Sequence, residues 1–334
     1  MSRGDRRPTL ETVAALAGVS RATASRVIND QPVAPPSRRA VERAIAEVGY
    51  VPNQAARSLV THRTGLIALV LPESSTRVFS DDQFFPRLIQ GVSQELETAD
   101  EQLVLMLAGS ATSRERIERS AVAGRVDGVM LASLHGTDPL SGALAKSGVP
   151  VVSNERVLGP VEVPSIGVDN RGGARAAVEH LIATGRRRIA TITGPSDMIA
   201  GMDRLDGYLE AIEGAQEPVV ASGDFTRASG EAAMTRLLAE HSGVDGVFAA
   251  SDLMAEGALH VLRQNGFRVP EDVALVGFDD ITRAAHTDPP LTTVRQPVDG
   301  IGRHLASQLL SLIAAEPVEP AITLTTELII RDST

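Results

Sequence analysis

Arg21, Ala22, Thr23, Ser25 and Arg26 fall in one run, RATASR, directly after Gly18-Val19-Ser20. A guanidinium can pair bidentately with a guanine edge, an alanine methyl can meet only an apolar group such as a thymine methyl, and small hydroxyls can reach phosphates. Those residue types suit nucleic-acid reading if one helix presents them together. Catalytic chemistry is poorly served elsewhere. The chain has no Cys, and its seven His (62, 135, 180, 241, 260, 286, 304) show no HxxxH spacing. GxGxxG, GxxxxGK[ST] and GxSxG are absent, and Asp279-Asp280 lacks a His or third carboxylate at useful spacing. The expectation is a non-enzyme without metal or cofactor.

The elements that would position the basic run can be read from residues 9–48. Leu10, Val13, Ala14 and Ala17 repeat with helical spacing, and Thr9 can cap that helix. Gly18 can take the left-handed conformation just past a helix end, Val19 tucks inward, and Ser20 caps a second helix. In it Ala24 and Val27 face the core, leaving Arg21, Ala22, Thr23, Ser25 and Arg26 outward, as in the recognition helix of a helix-turn-helix. A third amphipathic helix is expected from Pro35 to Val48, ended by Gly49. A two-helix corner in an ordinary α protein would look similar, and charge separates the two readings. Residues 1–64 carry ten Arg against five acidic side chains, a net +5, whereas the remainder has 22 basic and 37 acidic side chains, a net −15. A basic head on an acidic body favours phosphate binding by one end only.

Two longer strings, LAGVSRATASRVIN (Leu16 to Asn29) and GYVPNQAARSL (Gly49 to Leu59), resemble the signature of the lactose-repressor (LacI) family. The resemblance implies that Arg21, Ala22 and Arg26 read base edges, that Thr23, Ser25 and Asn29 contact phosphates, and that Ser20, Tyr50, Asn53, Ala56, Arg57 and Leu59 complete the DNA-binding set. Ala34-Pro35-Pro36 departs from the family, where a Ser cap is usual. Pro is tolerated in a first helical turn, so a weaker cap is expected and not a lost helix. Residues Gln54 to Val60 could form only a helix too short to stand alone in water. In the family such hinge helices pair in the minor groove and a Leu, here Leu59, wedges a base step. A plain linker with Leu59 in a lobe core is the alternative.

From Gly65 onward, short apolar runs alternate with helical stretches, which implies parallel sheets covered on both faces. The family similarity continues through this region. The fold class expected is an N-terminal all-α helix-turn-helix head plus an α/β periplasmic-binding-protein-like body of two doubly wound parallel-sheet lobes. The corresponding domains are a head at 1–51, a hinge and linker at 52–64, and a body at 65–334. Within the body, lobe 1 covers about 65–163 and 294–319, and lobe 2 about 164–293 and 320–334. Ligands of open α/β sheets sit off the carboxyl ends of strands, here between lobes.

Arg204, in GPSDMIAGMDRLDGY, matches the family's ligand Arg, and its fork can grip two sugar oxygens. Asp279 of GFDD and Asp252 of AASD can accept from hydroxyls, and Phe225 of GDFT can stack on a pyranose. Phe84 or Phe85 could form the opposite wall, with Glu155 and Arg156 on the rim. Ser251 stands where the family usually has Asn. Other roles stay open: Arg204 in an interlobe ion pair, Asp280 as a loop brace, Phe85 as core.

The expected protein is a cytoplasmic homodimeric repressor of palindromic operator DNA that releases it on binding a sugar. VDGVMLASLHGTDPL, GRRRIATITGPSDMIAGMDRLDGY and VPEDVALVGFDD are similar to regulators of cellulose and β-glucoside use, so cellobiose or a cello-oligosaccharide is the favoured effector. Another disaccharide remains an alternative. A sugar receptor without gene regulation would predict a signal peptide, yet Met1 to Pro8 is polar and Arg-rich. No apolar run approaches the roughly 20 residues of a membrane span, so no membrane partner is expected.

Overall fold

A computed structural model describes residues 8–29, 31–51, 63–79 and 82–334, and the chain forms two compact units, Met1–Thr64 and Gly65–Thr334. The first holds α1 (Leu10–Ala17), α2 (Arg21–Ile28) and α3 (Pro35–Val48). Thr9 caps α1 reciprocally with Thr12, each hydroxyl accepting the other's backbone N–H at 3.3 Å. Gly18 ends α1 at φ 66°, a conformation that costs a glycine little, and its N–H returns to the carbonyls of Ala14 and Ala15. Ser20 Oγ accepts from Thr23 N at 3.0 Å and so starts α2. Ala34 provides no side-chain cap, yet α3 begins at Pro35, whose fixed φ suits a first turn and whose missing N–H would have had no partner there. Val13, Ala14, Ala24, Val27, Val41 and Ala44 fill the core, with Val19 and Tyr50 packed against it. The expected hinge helix, with Asn53, Ala56, Arg57 and Leu59, lies outside the described residues.

The body contains two six-stranded sheets among the described residues. The first lobe's sheet comprises β1 (Leu66–Leu71), β2 (Gln102–Leu107), β3 (Gly128–Leu131), β4 (Val151–Asn154), β5 (Ser165–Val168) and β11 (Ala321–Leu324). Their spatial order is β11-β5-β4-β3-β1-β2. The second comprises β6 (Ile189–Thr193), β7 (Val219–Ser222), β8 (Gly246–Ala249), β9 (Ala274–Asp279), β10 (Thr292–Arg295) and β12 (Glu327–Ile329), in the order β12-β10-β9-β8-β6-β7. Among the described residues the β10–β12 pair is antiparallel and the other strand pairs are parallel. Central strands such as β1, LIALVL, are apolar throughout because helices cover both faces of a parallel sheet. The first sheet is covered by α4 (Ser75–Val78), α5 (Phe84–Thr98), α6 (Ala111–Val122), α7 (Pro139–Lys146) and α12 (Val298–Ile313). The second carries α8 (Asn170–Ala183), α9 (Ile199–Ile212), α10 (Arg227–Glu240) and α11 (Asp252–Gln264).

The expected lobe boundaries need correction. Expected crossovers near residues 164, 293 and 320 each fall one strand too early. β5 pairs with β4 and β11, and β11 with β5, so both belong to the first lobe, while β10 pairs with β9 in the second. The chain therefore changes lobes after Val168, Arg295 and Leu324. A strand must run to its carboxyl end, where the cleft lies, before the chain can leave its sheet. β4 runs to Asn154, which carries that residue to the cleft.

Candidate functional site

The carboxyl ends of strands from both sheets face one cleft of about 840 Å³, open mouth included. β1 leads towards Arg77 and Asp82, β3 to Ser133, and β4 to Asn154, Glu155 and Arg156. From the other lobe, β6 leads towards Arg204, β8 to Ser251, β9 to Asp279, and β10 to Gln296. Convergence of strand ends on a crevice is the general position of a ligand site in open α/β sheets.

Arg204 organises the floor and is only 4% exposed. Its Nε donates to Asn170 Oδ1 at 2.8 Å and its Nη1 to the Ala250 carbonyl at 2.6 Å, with Asp279 Oδ1 at 3.4 Å from the same nitrogen. Phe278 lies beneath the guanidinium, 3.7 Å from carbon to ring centroid. A buried cation is costly unless paired and hydrogen-bonded, and these partners meet that need. All of them belong to the second lobe, so Arg204 makes no interlobe ion pair. That role falls to Arg156, which grips Asp203 on α9 through two 2.7 Å bonds.

Glu155 accepts from Asn170 Nδ2 at 2.9 Å, and burial pushes its carboxyl up to about 7 despite the Arg204 charge. Asp279, held by Gln296 Nε2 at 2.6 Å, is likewise pushed to about 7, first by burial. Asp82, to which the sequence offered no pointer beyond its place beside Phe84, lines the same space and is also raised by burial. Near neutral pH Glu155 and Asp279 can donate as well as accept, which suits ligands whose hydroxyls do both.

Phe225 stands on one wall with its ring against Gly194. A Cβ added there would come within 2.2 Å of Cζ, so the Gly of GPSD is needed for this close approach. Phe84 and Phe85 form the other wall as an edge-to-face pair 5.5 Å apart. Phe85 is 2% exposed and packs in the first lobe's core while also bordering the cleft. Ser133, Glu155, Phe225 and Asp279 all adopt positive φ without being glycine. Such strain gathers where side chains must be aimed at a ligand.

Asp252 is the expected ligand residue that the structure removes. It is fully buried, its Oδ1 accepting from Thr293 Oγ1 at 2.5 Å and its Oδ2 from Ile281 N at 2.8 Å. Ser251 caps α11 through Met254 N at 3.2 Å and lines the cleft, which turns its neighbour inward. Gly277 leaves room for it, since a Cβ there would stand 2.2 Å from Asp252 Oδ1. Asp280 is a brace, held by Arg295 at 2.7 Å and Arg331 at 2.6 Å. Among the described residues no cluster of three metal-ligating side chains occurs, and no helix is long and apolar enough to cross a membrane.

In the head, Arg21, Ala22 and Arg26 are exposed on α2, while Thr23 and Ser25 are half-buried. Arg21 Nε lies 3.0 Å from Glu11 in an ion pair whose members are 71% and 61% exposed, so it can be exchanged for another anion at little cost. Asn29 Nδ2 donates to the Ser25 carbonyl at 2.9 Å. Tyr50 packs on the head's core.

Residues 9–53 match the model of bacterial regulatory proteins, lacI family, and residues 178–334 that of a periplasmic binding protein-like domain. Over 98% of its length the chain is 51% identical to the HTH-type transcriptional regulator CelR of Thermobifida fusca, of which it covers 98%. The chain belongs to the LacI family. Among solved structures, a transcriptional regulator CelR–cellobiose complex matches at 47% identity with a TM-score of 0.78, over 98% of this chain and all of that one. A lac repressor dimer bound to operator and the anti-inducer ONPF matches at 27% identity and 0.86, over 98% and 99%. As a LacI-family member the protein is a DNA-binding transcription regulator, and α2 lies within the residues that match the lacI model.

Proposed function

We propose that this LacI-family regulator is a cytoplasmic homodimeric repressor that leaves a palindromic operator when cellobiose, or a short cello-oligosaccharide, enters the cleft. The observation that carries the effector reading is the pairing of aromatic walls, Phe225 against Phe84 and Phe85, with a buried floor of Arg204, Asp279 and Glu155. Aromatic faces suit the apolar faces of β-linked glucose units, and the floor suits their equatorial hydroxyls. Similarity to CelR supports the choice of sugar.

Arg204 would offer Nη2, which makes no hydrogen bond to the described residues, while Asp279 and Glu155 would donate to or accept from hydroxyls and Asp82 would accept from them. Arg21 and Arg26 would read bases, and Thr23, Ser25 and Asn29 phosphates. Asn53, Ala56, Arg57 and Leu59 would form the hinge contacts. A closed cleft that misplaces the hinges releases the operator, and by linkage operator weakens sugar binding by the same factor. Titration calorimetry with cellobiose, set beside maltose and lactose, together with operator gel shifts under each sugar, tests this. Cellobiose alone should bind tightly and release DNA. Release by lactose or maltose at lower concentration would overturn the choice of effector.

A further inference from the structure

Besides the Arg156–Asp203 pair, a histidine joins the lobes outside the floor of the cleft. The turn Ser133 to Gly136, leaving β3 of the first lobe, docks on Asp197 of the second: Gly136 N donates to the Asp197 carbonyl at 2.7 Å. Between them stands His135. Its Nδ1 is 3.1 Å from Asp197 Oδ1, and its Nε2 is 3.3 Å from Oε1 of Glu73, which follows β1 in the first lobe. Ser133 Oγ donates to that same Glu73 oxygen at 2.9 Å. Both ring nitrogens face carboxylate oxygens, which accept, so only the imidazolium can donate to both at once. Asp197 lies next to Met198, and Ser133 two residues before His135, and Met198 and Ser133 both line the cleft.

We propose that His135 is a positioning residue for the effector: as an imidazolium bridging Glu73 and Asp197, it holds the two lobes closed over a bound sugar, so affinity for the sugar falls as the ring loses its proton. The inference rests on the reading of the cleft as a sugar site. The charges around the ring agree in sign. Glu73 and Asp197 face it directly. Arg77 stands behind Glu73, its Nε 3.5 Å from the shared oxygen and its Nη2 donating to the Asp224 carbonyl of the second lobe at 2.9 Å. Asp82 adds a further negative charge near Glu73. Asp138 and Arg114, the nearest charged groups on the segment that follows, are bound to each other at 3.0 Å. The bond to Glu73, then those to Asp197, outweigh burial and raise the His135 pKa above its ordinary 6.5. Burial pushes Glu73 up, but the His135 bond and the Arg77 charge more than offset it. The contribution is therefore complete below about pH 6 and lost as pH rises through the raised value.

The test is cellobiose affinity by calorimetry at pH 6 and pH 8 for the full chain, for His135→Asn and for Asp197→Asn. Cleft carboxyls titrate in the same range, so the comparison of profiles isolates the histidine. The pair is partly exposed, and the expected difference is a wild-type loss of affinity about 2- to 5-fold greater than in either variant. His135→Lys, with a fixed charge, should recover affinity at pH 8. Parallel profiles in wild type and both variants, each with unchanged melting, would overturn the role of His135 and leave the sugar site standing. Failure of the wild type to bind cellobiose at either pH would overturn both.

Discussion

The head and the cleft solve recognition in opposite ways. The face proposed to read DNA belongs to one regular helix, α2, whose exposed side chains, Arg21, Ala22 and Arg26, sit on a core of six small residues. The cleft takes single residues from the ends of strands in two sheets, buries their charges, and holds four of them at positive φ. Phosphates and base edges are brought to the helix by the partner, so the head can keep its charges in water until contact. The neutral sugar proposed for the cleft would bring no such field, so the site would have to organise charge in advance, at a cost in burial and strain.

Breaking the floor of the cleft should therefore have the largest effect. Arg204→Ala leaves Asp279 and Glu155 without their cation, and cellobiose affinity should fall by about 2 to 5 kcal/mol while operator binding persists. Calorimetry and gel shifts on the same preparation check both. An Arg204→Ala protein still released from operator by the wild-type sugar concentration would remove Arg204 from the site.

The buried carboxyls sharpen the contrast through pH. Glu155 ionises near 7 in the fold instead of 4.5, so the folded protein holds more protons than the unfolded chain between those values. Stability of the sugar-free body should then decline as pH rises from about 5 to about 7, by on the order of 2 kcal/mol for this group. Glu155→Gln should flatten that slope in melts taken across the range, and an unaltered slope would show the carboxyl to be ionised throughout.

On the head, Arg21→Ala or Arg26→Ala should each cost about 1 to 3 kcal/mol on operator and relax preference at one base pair, with sugar binding untouched. Equal loss on operator and random duplex would make them phosphate contacts. The smallest effect is expected from Ser20→Ala, which removes the α2 cap and about 1 kcal/mol of head stability. Operator affinity would weaken without any change in base preference, measured on a panel of single-site operator variants.

Much of the head was legible because its signals are local. Thr9, Gly18 and Ser20 act on neighbours within four residues, and the outward face of α2 follows from the helical repeat. The alternation that builds two parallel sheets was legible for the same reason. Lobe membership was not, because β5, β10 and β11 are short runs whose sheet is decided by the strand beside them. Nor was Asp252: a carboxylate in AASD reads equally well as ligand or brace until Ser251 takes the cap and Gly277 opens a space behind it. Arg204 and Asp279 could be named from sequence. Their meeting across 75 positions, the carboxyls raised near 7, and the bridge through His135 belong to the tertiary structure, since burial and distance between remote segments are set only when the two sheets close on one cleft.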